Sequence, residues 1–223
     1  MRVKFFCLAV ALVSLAGCAR ERQSRLPELV STMDGQEKQA CLDIFPQGNW
    51  QFVHSIQFSM KGGRGSEVLG VTSIGKEKIE SALVTVEGLT LFEAAFDNNG
   101  RIDVHRAIPP FDGLEFAKGL VADIRAIFRP PSGVMIASGH LPDGNPVCRF
   151  SDDDARVVDI LPHVNGCWVI EIYSPEKLRD RSIVAKECRQ KEGRPIPGYL
   201  ELTSSGPTGY SLKMTLIRAD VLP

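Results

Sequence analysis

Residues 50–61 carry the clearest pattern in the chain. Trp50, Phe52, His54, Ile56, Phe58 and Met60 alternate with Gln51, Val53, Ser55, Gln57, Ser59 and Lys61. A period of two places the first set on one face of a strand. Gly62-Gly63-Arg64-Gly65 then turns the chain, and further strands are predicted at 67–74, 78–87 and 89–96, joined at Gly75-Lys76 and Gly88. Asn98-Asn99-Gly100 is a hairpin turn into 101–108. Short consecutive strands with tight turns predict an antiparallel meander rather than a parallel α/β sheet.

The period changes after Pro109-Pro110. Over 112–129, Leu114, Ala117, Leu120, Val121, Ile124, Ile127 and Phe128 form one helical stripe, with Glu115, Lys118, Asp123 and Arg125 largely off it. Asp112 is the expected N-cap, Glu115 stands at the capping-box position, and Pro130-Pro131 ends the helix. A shorter helix is predicted over 35–45. Strands resume at 133–140, 146–150, 156–164, 167–174, 182–190, 196–203 and 209–218, with Asp143-Gly144 and Asn165-Gly166 as further hairpin turns. The expectation is a mainly β chain of about ten to twelve strands with one long helix and one short one.

The N-terminal stretch changes the picture of where such a chain resides. A basic start (Arg2, Lys4) precedes an apolar run from Phe5 to Ala16. That run is shorter than the roughly 20 residues a membrane-spanning helix needs, and reads as a secretory signal. Ordinary cleavage after Ala16 is one reading. The other rests on Leu15-Ala16-Gly17-Cys18, which resembles the lipobox of bacterial lipoproteins. That resemblance implies lipidation of Cys18, removal of residues 1–17 and, with Ala19 rather than Asp following, an anchor on the periplasmic face of the outer membrane. Multiple acyl chains at about 0.8 kcal/mol per buried CH₂ hold stably where one chain is marginal. Residues 18–33 are then a lipidated tether and 34–223 a single domain. Alternatively, the stretch 26–30 packs as a first edge strand.

Charge and cysteines narrow the class. Removing residues 1–17 takes the formal charge from −1 to −3 (24 basic against 27 acidic). No basic stripe marks a nucleic-acid partner. Cys41, Cys148, Cys167 and Cys188 remain once Cys7 and Cys18 are set aside. An even count in an exported chain predicts two disulfides, for which three connectivities exist. If 167–174 and 182–188 form a hairpin, Cys167 faces Cys188, and Cys41 staples the short helix to Cys148. Cys148–Cys167 is disfavoured because the strand 156–164 should separate them.

The lipobox, short helix, meander, Pro-flanked helix and later strands together resemble LolA and LolB, the periplasmic carrier and outer-membrane receptor of lipoproteins, and lipoproteins of that class. Short matching stretches are Gly88-Leu89-Thr90-Leu91-Phe92, Pro109-Pro110-Phe111 and Gly209-Tyr210-Ser211-Leu212. The resemblance covers roughly residues 35–218. It implies a curved, half-open antiparallel barrel with the amphipathic helix packed on its open side, and a hydrophobic cavity for acyl chains. The expected lining is Trp50, Phe52, His54, Ile56 and Phe58, with Leu120, Ile124 and Phe128 from the helix. The expected partners are the membrane, through the anchor, and an acyl-chain or lipoprotein ligand.

No arrangement of catalytic type stands out. No serine sits in a G-x-S-x-G elbow, and Gly62-Gly63-Arg64-Gly65 lacks the Lys-Ser/Thr and helix of a phosphate loop. His54, His105, His140 and His163 are scattered, with no metal-ligand spacing. His54 reads as a wall residue before a head-group contact. Asp152-Asp153-Asp154 reads as a solvated turn before a calcium site. Glu93 reads as a solvent-facing or ion-paired carboxylate. No cofactor and no enzymatic activity are expected. The alternative to lipid binding is a structural or adaptor lipoprotein that docks another envelope protein, and a third reading is an enzyme whose site the sequence does not reveal.

Overall fold

A computed structural model describes residues 24–32, 35–61, 65–152, 154–205 and 209–223. The signal segment, Cys18 and the Gly62-Gly63-Arg64 part of the expected turn lie outside the described residues. In chain order the elements are β1 (Ser31–Thr32), α1 (Gly35–Asp43), β2 (Trp50–Met60), β3 (Gly65–Ile74), β4 (Lys78–Val84), β5 (Thr90–Asp97) and β6 (Ile102–Ala107). Then follow α2 (Leu114–Phe128), β7 (Val134–His140), β8 (Pro146–Ser151), β9 (Val157–Pro162), β10 (Trp168–Tyr173) and β11 (Arg179–Lys186). The chain ends with β12 (Arg189–Lys191), β13 (Arg194–Ile196), β14 (Tyr199–Ser204) and β15 (Tyr210–Val221).

Thirteen strands form one sheet in the order β1-β7-β8-β9-β10-β11-β14-β15-β2-β3-β4-β5-β6. Each ladder is antiparallel, from β7–β8 through to β5–β6. Two meanders, β2–β6 and β7–β11, meet through β14 and the long β15–β2 seam, where Leu212 faces Phe58 and Met214 faces Ile56. The sheet is curved and does not close. α2 is the connection between β6 and β7, so the chain crosses the opening as a helix rather than as another strand.

Alternation puts one side of each central strand into the core. In β2, Trp50, Phe52, His54 and Ile56 are buried, Phe58 is half-buried and Met60 is exposed. α2 buries Ala117, Val121, Asp123, Ile124, Ile127 and Phe128 against this face. α1 packs on β8 and β9, and a disulfide joins Cys41 to Cys148. A second disulfide joins Cys167 to Cys188.

The described strands number fifteen rather than ten to twelve, the extra ones being short, and four further details differ from the sequence reading. The helix starts at Leu114 and not at Asp112: Phe111 N–H donates to Ile108 O at 2.8 Å, so residues 108–111 close a turn of their own. Its N-cap is Gly113, without a side-chain cap, and Glu115 pairs with Lys118 at 3.0 Å instead of reaching back. The segments 182–190 and 196–203 divide: Glu187 takes a positive φ of 56°, ending β11, and β12–β13 stand apart as a two-stranded ribbon. Asp123 is buried, not on the polar side of the helix. Finally, residues 24–32 of the expected tether run along the sheet. Arg179 N–H donates to Ser24 O at 2.8 Å, Leu26 N–H to Lys177 O at 3.0 Å and Val30 N–H to His140 O at 2.9 Å.

Candidate functional site

The expected lining residues converge beneath α2. Phe128 stacks on Phe52 with ring centroids 5.0 Å apart, and Phe52 stacks in turn on Trp50 at 5.6 Å. His54 lies 6.2 Å from both Phe52 and Phe128. Ile124 is buried and Leu120 half-buried on the same helix. These side chains fill the space between them: the void beside His54, Phe52, Phe128 and Trp168 measures about 20 Å³. That is little more than one water molecule occupies. With α2 seated, the aromatic wall is core.

Burial sets the electrostatics of this face. The His54 imidazole has its pKa lowered to about 4 by desolvation, so it is neutral at physiological pH. Asp123, buried on α2, has Arg181 Nη1 at 2.7 Å from its Oδ1, as a close ion pair rather than an aligned hydrogen bond. Tyr210 Oη donates to Asp123 Oδ2 at 2.5 Å. Burial raises the Asp123 pKa, opposed by the Arg181 charge and the tyrosine hydrogen bond. Burial, followed by the Asp123 charge, raises that of Tyr210. This triad fastens α2 to β11 and β15.

A larger space opens beside the C-terminal half of α2, with a cavity volume of about 210 Å³. Its floor is apolar: Phe45, Ala122, Ala126, Val158, Ile170 and Ile172. Its rim carries Arg125, Arg129, Arg156 and Arg181, with Asp152 and Asp180. Arg156 Nε pairs with Asp152 at 2.9 Å and Arg181 with Asp123. Arg125 and Arg129 have no carboxylate within ion-pairing distance among the described residues. The sequence reading did not single out these two arginines. Their spacing of four on a helix, followed by Pro130-Pro131, is the signal that could have found them.

The remaining candidates have structural partners or lie apart. Asp152 Oδ1 accepts from the N–H groups of Asp154 and Arg156, at 3.0 and 2.9 Å, which makes it a turn-former. Asp153 lies outside the described residues. His140 Nδ1 sits 2.9 Å from Ser31 Oγ. His105 is exposed beside Asp103. Glu93 is exposed on β5, opposite Arg106 on β6. Among the described residues no group of three or more His, Cys, Asp or Glu could hold a metal ion. No described helix is long and apolar enough to cross a membrane.

No protein-family model matches the chain, and no curated protein sequence matches it. Solved structures do. A LolA superfamily protein from Nitrosomonas europaea is similar over 87% of this chain and 94% of its own, with a TM-score of 0.59 at 11% identity. A domain described as an outer membrane lipoprotein-sorting protein, from Vibrio parahaemolyticus, covers 82% of this chain and 89% of its own, with a TM-score of 0.50 at 9% identity. At such identities the likeness speaks to architecture: the open antiparallel sheet with a helix across its concave face is a LolA/LolB-like fold.

Proposed function

We propose that this chain is a lipid-anchored envelope protein that binds an amphiphile on its concave face, beneath and beside α2. The observation that carries the reading is the 210 Å³ cavity with an apolar floor and a cationic rim, bounded by the helix that spans the open side. Its likeness to a lipoprotein-sorting domain supports the same reading at the level of fold. The cavity is smaller than the roughly 300–1,000 Å³ of typical ligand sites. A complete acyl chain therefore requires α2 to lift from the aromatic wall.

The energies permit that exchange. α2 buries four large apolar side chains, Val121, Ile124, Ile127 and Phe128. At roughly 2 kcal/mol each their exposure costs about 8 kcal/mol. A ligand gains about 0.8 kcal/mol per buried CH₂. Ten or so methylenes thus offset the apolar part of the cost; the Asp123 contacts to Arg181 and Tyr210 must be given up as well, so shorter chains should bind poorly.

The test is native mass spectrometry of the exported chain carrying Cys18→Ser, purified without detergent. A co-purifying species released on denaturation, or uptake of added fatty acids that rises steeply near ten carbons, is expected. A bare mass with no uptake of fatty acids or phospholipids overturns amphiphile binding. One observation favours the adaptor reading: Val134, Met135 and Ile136 of β7 are exposed, and that half of β7 has no outer strand partner among the described residues. An uncovered apolar strand edge is a surface for strand addition. A bare mass would leave that reading in place.

A further inference from the structure

We propose that Arg125 and Arg129 hold the anionic head group, a carboxylate or phosphate, of the amphiphile whose chain enters the adjoining cavity. This rests on the amphiphile reading and adds the chemical class of the ligand.

Arg125 stands in the last turn of α2 and Arg129 is its C-cap, with extended backbone. They border the 210 Å³ cavity on one side and a second space of about 120 Å³ on the other. The other two arginines of the rim are matched by carboxylates, Arg156 by Asp152 and Arg181 by Asp123. Arg125 instead donates a long bond of 3.4 Å to Asn98 O, and Arg129 donates to Gly75 O. Carbonyl oxygens accept hydrogen bonds without neutralising charge. The Nε of Arg129 is buried and has no acceptor, and a buried donor without a partner is costly; Arg181 Nε is likewise unpartnered, but there Asp123 already balances the charge. Burial and the neighbouring Arg125 charge both lower the Arg129 pKa. Two like charges held together in this way favour a shared counter-anion.

A helix C-terminus also favours cations through its dipole. That accounts for basic residues in the last turn but leaves the orphaned Nε unexplained. The nearby acids do not supply the missing anion. Both N–H groups of Asn99 and Arg101 bond to Asp97 Oδ1, at 2.9 and 3.0 Å, which makes Asp97 part of its own turn. Asp180 borders the larger cavity without a salt bridge to either arginine. Guanidinium forks match carboxylate and phosphate oxygens in bidentate geometry. An ammonium is repelled by this pair, and a neutral alcohol accepts a hydrogen bond from it without balancing its charge.

Calorimetric titration of the exported Cys18→Ser chain with dodecanoate, dodecanol and inorganic phosphate tests the site. The expected result is dodecanoate binding about tenfold tighter than dodecanol or more. The double variant Arg125→Gln/Arg129→Gln should bring dodecanoate down to dodecanol while leaving dodecanol unchanged, which also shows that the fold persists. Arg125→Lys/Arg129→Lys should retain part of the preference. Equal affinities in the wild type, or an unaltered preference in the double glutamine variant, would overturn the head-group site and leave amphiphile binding standing. Tight phosphate binding without dodecanoate binding would mark a free-anion site and overturn it equally. Binding of neither amphiphile removes the amphiphile reading and this site together.

Discussion

His54 shows how one residue can carry a measurable cost in a wall of aromatics. It is 3% exposed, and burial lowers its pKa from 6.5 to about 4. Between those values the unfolded chain binds a proton that the folded chain refuses. Stability therefore falls as pH drops from 6.5 towards 4 and levels off below, by about 3 kcal/mol in all. Asp123, Asp159 and Glu171 act in the opposite sense. Burial raises their folded pKa values, so the folded chain takes up protons first and gains stability as pH falls through them. Comparing His54→Leu with the wild type isolates the histidine. Denaturant midpoints at pH 7 and pH 4.5 should show the wild type losing distinctly more stability than the variant. Parallel losses would mean that His54 is protonated in the fold. The alternation of β2 made this residue's position legible, since it lies between Phe52 and Ile56 on one face. The polar pairs were not legible: Arg149 and Asp159 meet at 2.7 Å across neighbouring strands, and Asp123 finds Arg181 and Tyr210 from distant strands. Such partners are set by sheet order, which periodicity does not encode.

Among elements, the strands with strict alternation and the helix between two proline pairs stood out in the sequence because each buries one face. Elements without that pattern did not. β12 and β13 are three residues each, with little buried, and β1 is two residues at an edge. β1 nevertheless has a physical cause, a close backbone approach that a side chain would forbid. A Cβ at Gly139 would lie 2.0 Å from Ser31 O. Gly139 pairs with Thr32, and His140 with Ser31, which fixes the first strand on β7. Gly139→Val should therefore push residues 24–32 away from the sheet. The expected readout is faster protease cleavage within that segment, and loss of amide-exchange protection at Val30, with the β2–β6 meander unaffected. Unchanged protection at Val30 would show that the contacts at Arg25, Leu26 and Pro27 hold the segment without β1. The same reasoning explains a small error of register. Direct opposition of Cys167 and Cys188 would set Val169 against Lys186, whereas Val169 faces Val184. β11 ends at Lys186, and the left-handed turn at Glu187 brings Cys188 to Cys167 despite the offset.

At the scale of the whole molecule, both disulfides lie on the β7–β11 side of the sheet, and the β2–β6 meander carries none. Cys41–Cys148 closes a loop of 107 residues and Cys167–Cys188 one of 21. Loop-closure entropy assigns about 5 kcal/mol to the first and about 3 kcal/mol to the second. Domains of this kind are stable by only about 5–15 kcal/mol, so the long-range bond is a large share of the total. It is also the bond that holds α1 to β8, where α1 contributes Phe45 and Ile44 just beyond its end to the floor of the two voids beneath α2. Cys41→Ser/Cys148→Ser should accordingly lower the unfolding free energy by about 5 kcal/mol, and Cys167→Ser/Cys188→Ser by about 3 kcal/mol. Urea titrations of both variants against the wild type measure this. The reverse order would mean that the 21-residue loop, with its β12–β13 ribbon, constrains the native ribbon more than the unfolded chain. If the predicted order holds, a reducing compartment leaves the fold near the edge of its stability. An oxidising one keeps that margin, in agreement with the compartment expected from the N-terminal sequence.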